Sequence, residues 1–324
     1  MTRLLLALAL VLPAARAAHD PVAAVSGLIT RLLGADALPR FSLSAIAPDA
    51  ATGLDVFEAG ADGPRVALRG SSGTALAVAL NNYLKYDVNA SIAWGRAQSG
   101  VRAPLPAVLP LPAPARTVMP MKWRYAWNVC TAGYSFVWYD YPQWQFMIDW
   151  LALQGVNLPL AFNGQERVFF DAYKALGLTD AELWAYFSGP AFLPWNRMGN
   201  MQVRFPFPPL SPLYARNCDL NKPPKPQPDR APHDPNQQAF GALNSQVAGL
   251  DNGWLDSQFA LQVQIVAAMR AFGMTPVLPG FAGHVPAGLQ RVFPNAAYTH
   301  SPDWCSCAFN AHCCAHPLCP HLQP

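Results

Sequence analysis

Three groups of side chains could do chemistry in this sequence. Amide and thiol groups sit where apolar strand-like runs end: Asn128 and Cys130 after one run, and Asn163, Gly164 and Gln165 after another, with His284 past a third. Asn128 can both donate to and accept from a hydroxyl-rich ligand. Cys130 reads equally as a small buried residue, and His284 reads equally as a structural histidine. Carboxylates form the second group. Asp140 and Asp149 fall on or beside a helical stretch, and Glu166, Asp171, Asp180 and Glu182 fall on later helices, outside the mouth of any barrel. After His284 there is no Glu, and the only Asp is Asp303. The third group is a crowd of Cys305, Cys307, Cys313, Cys314 and Cys319 with His316 and His321. Its spacing fits no paired Cys-x₂-Cys arrangement, so no metal or other cofactor is expected.

The elements that must position these groups follow from periodicity. Residues 22–33 repeat apolar side chains at helical spacing, with Val25, Leu28, Leu32 and Leu33 on one face. Strands are expected at 41–46, 55–59 and 65–70, then a helix over 73–86 capped by Ser71-Ser72. This is a small α+β domain, residues 18–101. Residues 102–117 hold five prolines and read as an extended linker.

A βα rhythm takes over from residue 118. Strand candidates at 123–129, 156–162 and 275–281 alternate with helices at 142–154, 165–176 and 255–272, and Thr179-Asp180-Ala181-Glu182 is a capping-box start for one more. Three such units fall short of a closed (β/α)₈ barrel, which needs eight strands. Between them, residues 203–250 hold ten prolines without sustained periodicity and read as an insertion.

Arg3, the apolar run Leu4 to Pro13 and the small pair around Arg16 read as a signal peptide over residues 1–17. Entry into the secretory pathway would make the sequon Asn89-Ala90-Ser91 a glycan acceptor. The net charge of +3 comes without a long Lys/Arg run, so a nucleic-acid surface has no support. No uninterrupted apolar stretch has the length of a membrane span. The chain is 52% hydrophobic, enough for a sizeable core. Its 37 aromatic side chains (10 Trp, 10 Tyr, 17 Phe) serve that core or stack on sugar rings.

Five segments in order carry a family resemblance: Arg124 to Trp138 (RYAWNVCTAGYSFVW), Asp149 to Leu158 (DWLALQGVNL), Gly189 to Asn200 (GPAFLPWNRMGN), Phe272 to Pro286 (FGMTPVLPGFAGHVP) and Arg291 to Pro294. The chain resembles the lysosomal α-N-acetylglucosaminidases of glycoside hydrolase family 89. The resemblance implies a TIM-barrel domain over residues 118–304 and removal, with retention, of terminal α-linked N-acetylglucosamine from heparan sulfate. It places Asn128, Cys130, Trp195 and Met198 against the sugar. It also implies a lysosomal destination and leaves a homo-oligomer open. A retaining mechanism uses two carboxylates about 5–5.5 Å apart. The resemblance puts both as Glu on later barrel strands, so this chain is expected to be inactive. The alternative expectation is a secreted, non-catalytic protein that binds sugar or pairs with another subunit. Residues 203–250 and the Cys/His-rich tail 305–324 depart from the family pattern.

Overall fold

The computed structural model describes residues 19–94, 105–133, 135–187, 251–280, 283, 285–302 and 307–311. They fall into two units. The first contains the chain up to Trp127 with 140–161 and 263–277; the second contains 128–139, 162–262 and the residues from Leu278 onward.

In the first unit Asp20 starts helix α1 (Pro21–Leu33), accepting from the backbone of Val22 and Ala23, with Pro21 pre-set for the first helical position. Its apolar stripe, Val25, Leu28, Ile29, Leu32 and Leu33, is buried. Each such side chain contributes roughly 1.5–3 kcal/mol on leaving water. Strands β1 (Phe41–Ala45), β2 (Val56–Asp62), β3 (Arg65–Gly70) and β4 (Ala115–Val118) form one sheet in the order β1-β3-β2-β4. β1 runs parallel to β3, and β2 runs antiparallel to both β3 and β4. Helix α2 (Gly73–Tyr86), capped by Ser72, buries Leu76, Leu80, Tyr83 and Leu84. The proline-rich stretch is fastened to this sheet: Tyr83 donates to Pro110 O, Arg40 donates to Pro106 O, and its last residues form β4 at the sheet's edge. Proline is compatible with such an edge because no ladder bond is lost there.

The same unit holds three parallel segments. β5 (Tyr125–Ala126) pairs with β6 (Leu158–Pro159), and Leu160 bridges in parallel to Val277. The ladder continues through Leu160 N to Ala126 O, Val277 N to Pro159 O and Ala161 N to Val277 O. These paired stretches are much shorter than the seven-residue strands expected. Helix α3 (Tyr141–Leu153) follows β5 behind a capping box of Asp140 and Gln143. Along these segments Val156 and Leu160 are buried, and Leu158 and Val277 are half-buried.

Arg124 ties the unit together. It donates to Gly155 O at the end of α3 and to the carbonyls of Met121 and Lys122, and it pairs with Asp55 at 2.5 Å. Gly155 sits at φ +75, and a Cβ there would meet the side chains of Met119 and Val78 at 2.8 Å. Asp149, fully buried on α3, takes a bidentate pair from Arg31 of α1 at 2.7 and 2.6 Å. Burial pushes the Asp149 carboxyl up, and the Arg31 guanidinium pulls it back down.

The second unit is built from helices. α4 (Gln165–Ala175), α5 (Asp180–Tyr186) and the short α7 (Leu289–Val292) converge with the start of α6 (Asn252–Ala271). Their core is Phe170, Tyr173, Leu178, Leu183, Phe187, Leu255, Val285 and Leu289. Burial pushes the Tyr173 hydroxyl up to about 12. The expected capping box of α5 is present, with Thr179 and Glu182 exchanging backbone bonds. β7 (Tyr298–Pro302) and β8 (Cys307–Ala311) form an antiparallel pair. Residues 203–250, read as an insertion, and residues 1–17, read as a signal peptide, lie outside the described residues.

Candidate functional site

Barrel proteins carry their functional groups on the loops that leave the C-terminal ends of the strands. Two such loops are described in the second unit. The first leaves β5 through Trp127, whose φ of +74 is a left-handed value that a bulky aromatic rarely adopts. Holding it there costs about 1–3 kcal/mol, and such strain concentrates at functional sites. Asn128 follows, exposed. Its Oδ1 accepts from Cys130 N at 3.0 Å, Thr131 N at 3.1 Å and Thr131 Oγ1 at 3.0 Å. The carbonyl half of the amide is therefore committed to the turn that leads into a 3₁₀ turn, Thr131–Gly133. What Asn128 can offer a ligand is its Nδ2 donor. Cys130 is half-buried with a free thiol.

A second 3₁₀ turn, Ser135–Trp138, completes this loop, with Phe136 packed on Tyr139 at 4.9 Å between ring centroids. Trp138 reaches Trp254 at the start of α6, edge to face at 5.8 Å. The loop after β6 uses the same helix. Asn163 Nδ2 donates to Gln258 O at 3.3 Å. Gly164, at φ +67, sits so close that a Cβ would fall 2.4 Å from Gln258 O. α6 is thus the common post on which both strand-end loops are fastened.

Asn128 and Cys130 share one turn; Trp195, Met198 and His284 lie outside the described residues. Glu166 falls on a helix, as expected, and is buried in the first turn of α4, directly after the β6 loop, beside buried Asn163 and Gln165. Asp171 pairs with Arg167, Asp180 with Lys174, and Asp256 with Arg167. Glu182 pairs with Arg291, whose guanidinium with the Thr179 backbone holds its carboxyl down at about 2. Asp140 and Asp251 cap α3 and α6. Of the carboxylates described after residue 118, Asp140, Asp149, Asp171, Asp180, Glu182, Asp251 and Asp256 are engaged in caps or ion pairs, and Glu166 is buried. Among the described residues, no group of three or more His, Cys, Asp and Glu side chains could hold a metal ion.

Trp127 and Arg124 escaped the sequence reading. A positive φ at tryptophan leaves no mark in composition or periodicity. The many bonds of Arg124 depend on Asp55 and Gly155, which are remote along the chain.

A small α/β domain followed by parallel strands that alternate with helices, with polar side chains at the strand ends, is the layout of a (β/α)₈-barrel protein. Comparison with known proteins fixes the family. Residues 124–222 and 232–323 match the α-N-acetylglucosaminidase TIM-barrel domain, and residues 23–111 match the N-terminal domain of the same enzymes. The chain belongs to the α-N-acetylglucosaminidase family. It is 40% identical to human α-N-acetylglucosaminidase over 285 residues, 87% of this chain and 32% of the human protein. A family 89 glycoside hydrolase from Clostridium perfringens in complex with PUGNAc superposes with a TM-score of 0.70 at 25% identity, covering 90% of this chain and 28% of that one. A doubly substituted form of the bacterial enzyme, bound to its substrate GlcNAc-α-1,4-galactose, gives a TM-score of 0.71 with the same coverage and identity. The chain therefore spans about a third of the relatives it matches.

Proposed function

We propose that this chain supplies the N-terminal domain and first barrel units of a retaining glycoside hydrolase specific for terminal α-linked N-acetylglucosamine, with heparan sulfate as the natural polymer. In this reading Asn128, Cys130, Trp195 and Met198 line the sugar side of the pocket, and residues 1–17 send the chain into the secretory route toward the lysosome. The chain is inactive alone, because retention requires two carboxylates about 5–5.5 Å apart, aimed at one glycosidic bond.

The observation that carries the inactivity is the engagement of Asp140, Asp149, Asp171, Asp180 and Glu182 in capping and ion pairs. A carboxylate held at about 2, as Glu182 is, is too weak a base and too strong an acid for the double role of acid and base near neutrality. The test is direct. Purified chain incubated with a chromogenic α-N-acetylglucosaminide should release aglycone no faster than buffer. Turnover abolished by one point substitution within the chain would overturn the reading.

A second reading, pairing with another subunit, draws on a strip of exposed apolar side chains in the first unit: Met121, Trp123 and Tyr125, each more than half exposed. Such a strip marks a surface that gains from being covered.

A further inference from the structure

The segment that follows α2 serves neither the sheet nor the barrel strands. α2 ends at Tyr86. Asp87 N and Val88 N both donate to Tyr83 O, at 3.0 and 3.2 Å, and Ala90 N donates to Leu84 O at 2.8 Å. These bonds swing the chain off the helix and set Asn89 at φ +56, a left-handed value that Asn tolerates better than other side chains. Asn89 and Ser91 are both exposed. Among the described residues nothing bonds the Asn89 side-chain amide. Asn89-Ala90-Ser91 is the single Asn-x-Ser/Thr triplet in the sequence.

Tyr86 stands three residues before Asn89 and is 69% exposed. Lys85 Nζ lies over its ring, 5.4 Å from the centroid. A pyranose presents an apolar face of axial C–H groups, and an exposed aromatic ring is the surface against which that face packs.

We propose that Asn89 carries an N-linked glycan whose first N-acetylglucosamine stacks on the exposed ring of Tyr86. The donor is a lipid-linked oligosaccharide diphosphate. Asn89 Nδ2 forms a bond to C1 of the sugar, the C1–O bond to phosphate breaks, the lipid diphosphate leaves with the electron pair, and the amide gives up one proton. The Ser91 hydroxyl supplies the hydrogen bond that orients the acceptor amide. The proposal rests on the secretory reading above, and its test separates the two.

The full chain is translated with endoplasmic-reticulum microsomes, once behind its own residues 1–17 and once behind an independent cleavable leader that ensures entry. Protease protection reports entry, and gel mobility before and after peptide-N-glycosidase reports the glycan. Protected chain should show one discrete shift, lost in N89Q and in S91A and more complete in S91T. Failure of the native leader alone removes only the secretory reading. Protected chain without a shift overturns glycosylation at Asn89. The stacking is read separately: Y86A should lower occupancy about twofold or more, the effect an aromatic contact of this kind supports, while Y86F should retain it. Equal occupancy in Y86A and the unaltered chain overturns the stacking.

Discussion

At Asn128 the two halves of one amide have different tasks. Its Oδ1 closes the turn onto Cys130 and Thr131, which leaves Nδ2 as the donor the amide can offer. Asn128→Asp keeps the acceptor and removes the donor. We expect it to leave thermal unfolding unchanged and to weaken N-acetylglucosamine binding about tenfold, near 1.4 kcal/mol; titration followed by NMR checks both. Asn128→Ala should lower the unfolding temperature as well. Glu182 gives a pH signature. Its folded pKa of about 2 lies below the ordinary 4.5, so its contribution is complete above about 4.5 and is lost as pH falls toward 2. Glu182→Gln can still cap α5 but loses the Arg291 pair, so its acid unfolding should be flatter in that window. The pair is partly exposed, which limits the difference to roughly 0.2–1 kcal/mol; acid titrations of both proteins read by circular dichroism measure it. The role of Asn128 as a strand-end group was legible in the sequence. The commitment of its oxygen was not, because an Asx-type turn depends on local φ/ψ values that the residue types permit without requiring.

Elements were read most accurately where one face is buried and a cap marks the end. α2, β3 and the Thr179 capping box fall where periodicity puts them, since Ser72, Thr179 and the alternating face of Val66 and Leu68 are local signals. The barrel strands were overestimated. Their apolar runs, such as Val156 to Phe162, are continuous, but the paired portion of each is short. An apolar run records burial, not the number of ladder bonds. α6 was expected as one helix among several, and its place as anchor for two loops depends on Gly164 approaching Gln258, a contact between distant positions. Gly164→Ala meets both a left-handed φ and a 2.4 Å overlap with backbone oxygen. We expect a loss of at least ~1–3 kcal/mol, visible as a lower denaturant midpoint with little change in slope. Ala at Gly53, also left-handed but with open space around it, isolates the backbone cost from the overlap.

For the whole molecule, the two-part plan of a small α/β domain and βα units was present in the order of periodicities. The tie between Arg124 and Asp55 was invisible, because it joins residues on either side of the proline-rich stretch that read as a linker. The strip Met121, Trp123 and Tyr125 is exposed, and we expect it to drive association in solution. Unaltered chain should elute from size-exclusion columns as associated material, and the double variant Met121→Glu, Tyr125→Glu should shift it toward the monomer volume. One contact also sets a timetable. Thr74 N, at the start of α2, donates to Phe272 O at 3.2 Å, and a Cβ on Gly73 would strike the Phe272 backbone at 2.8 Å. The first turn of α2 is therefore closed by a residue made roughly two hundred positions later. Synthesis runs at about 5–20 residues per second, so this helix start waits about 10–40 s on the ribosome, uncovered, for its partner to emerge. In a compartment crowded with nascent chains, that interval is when a chaperone has its opportunity.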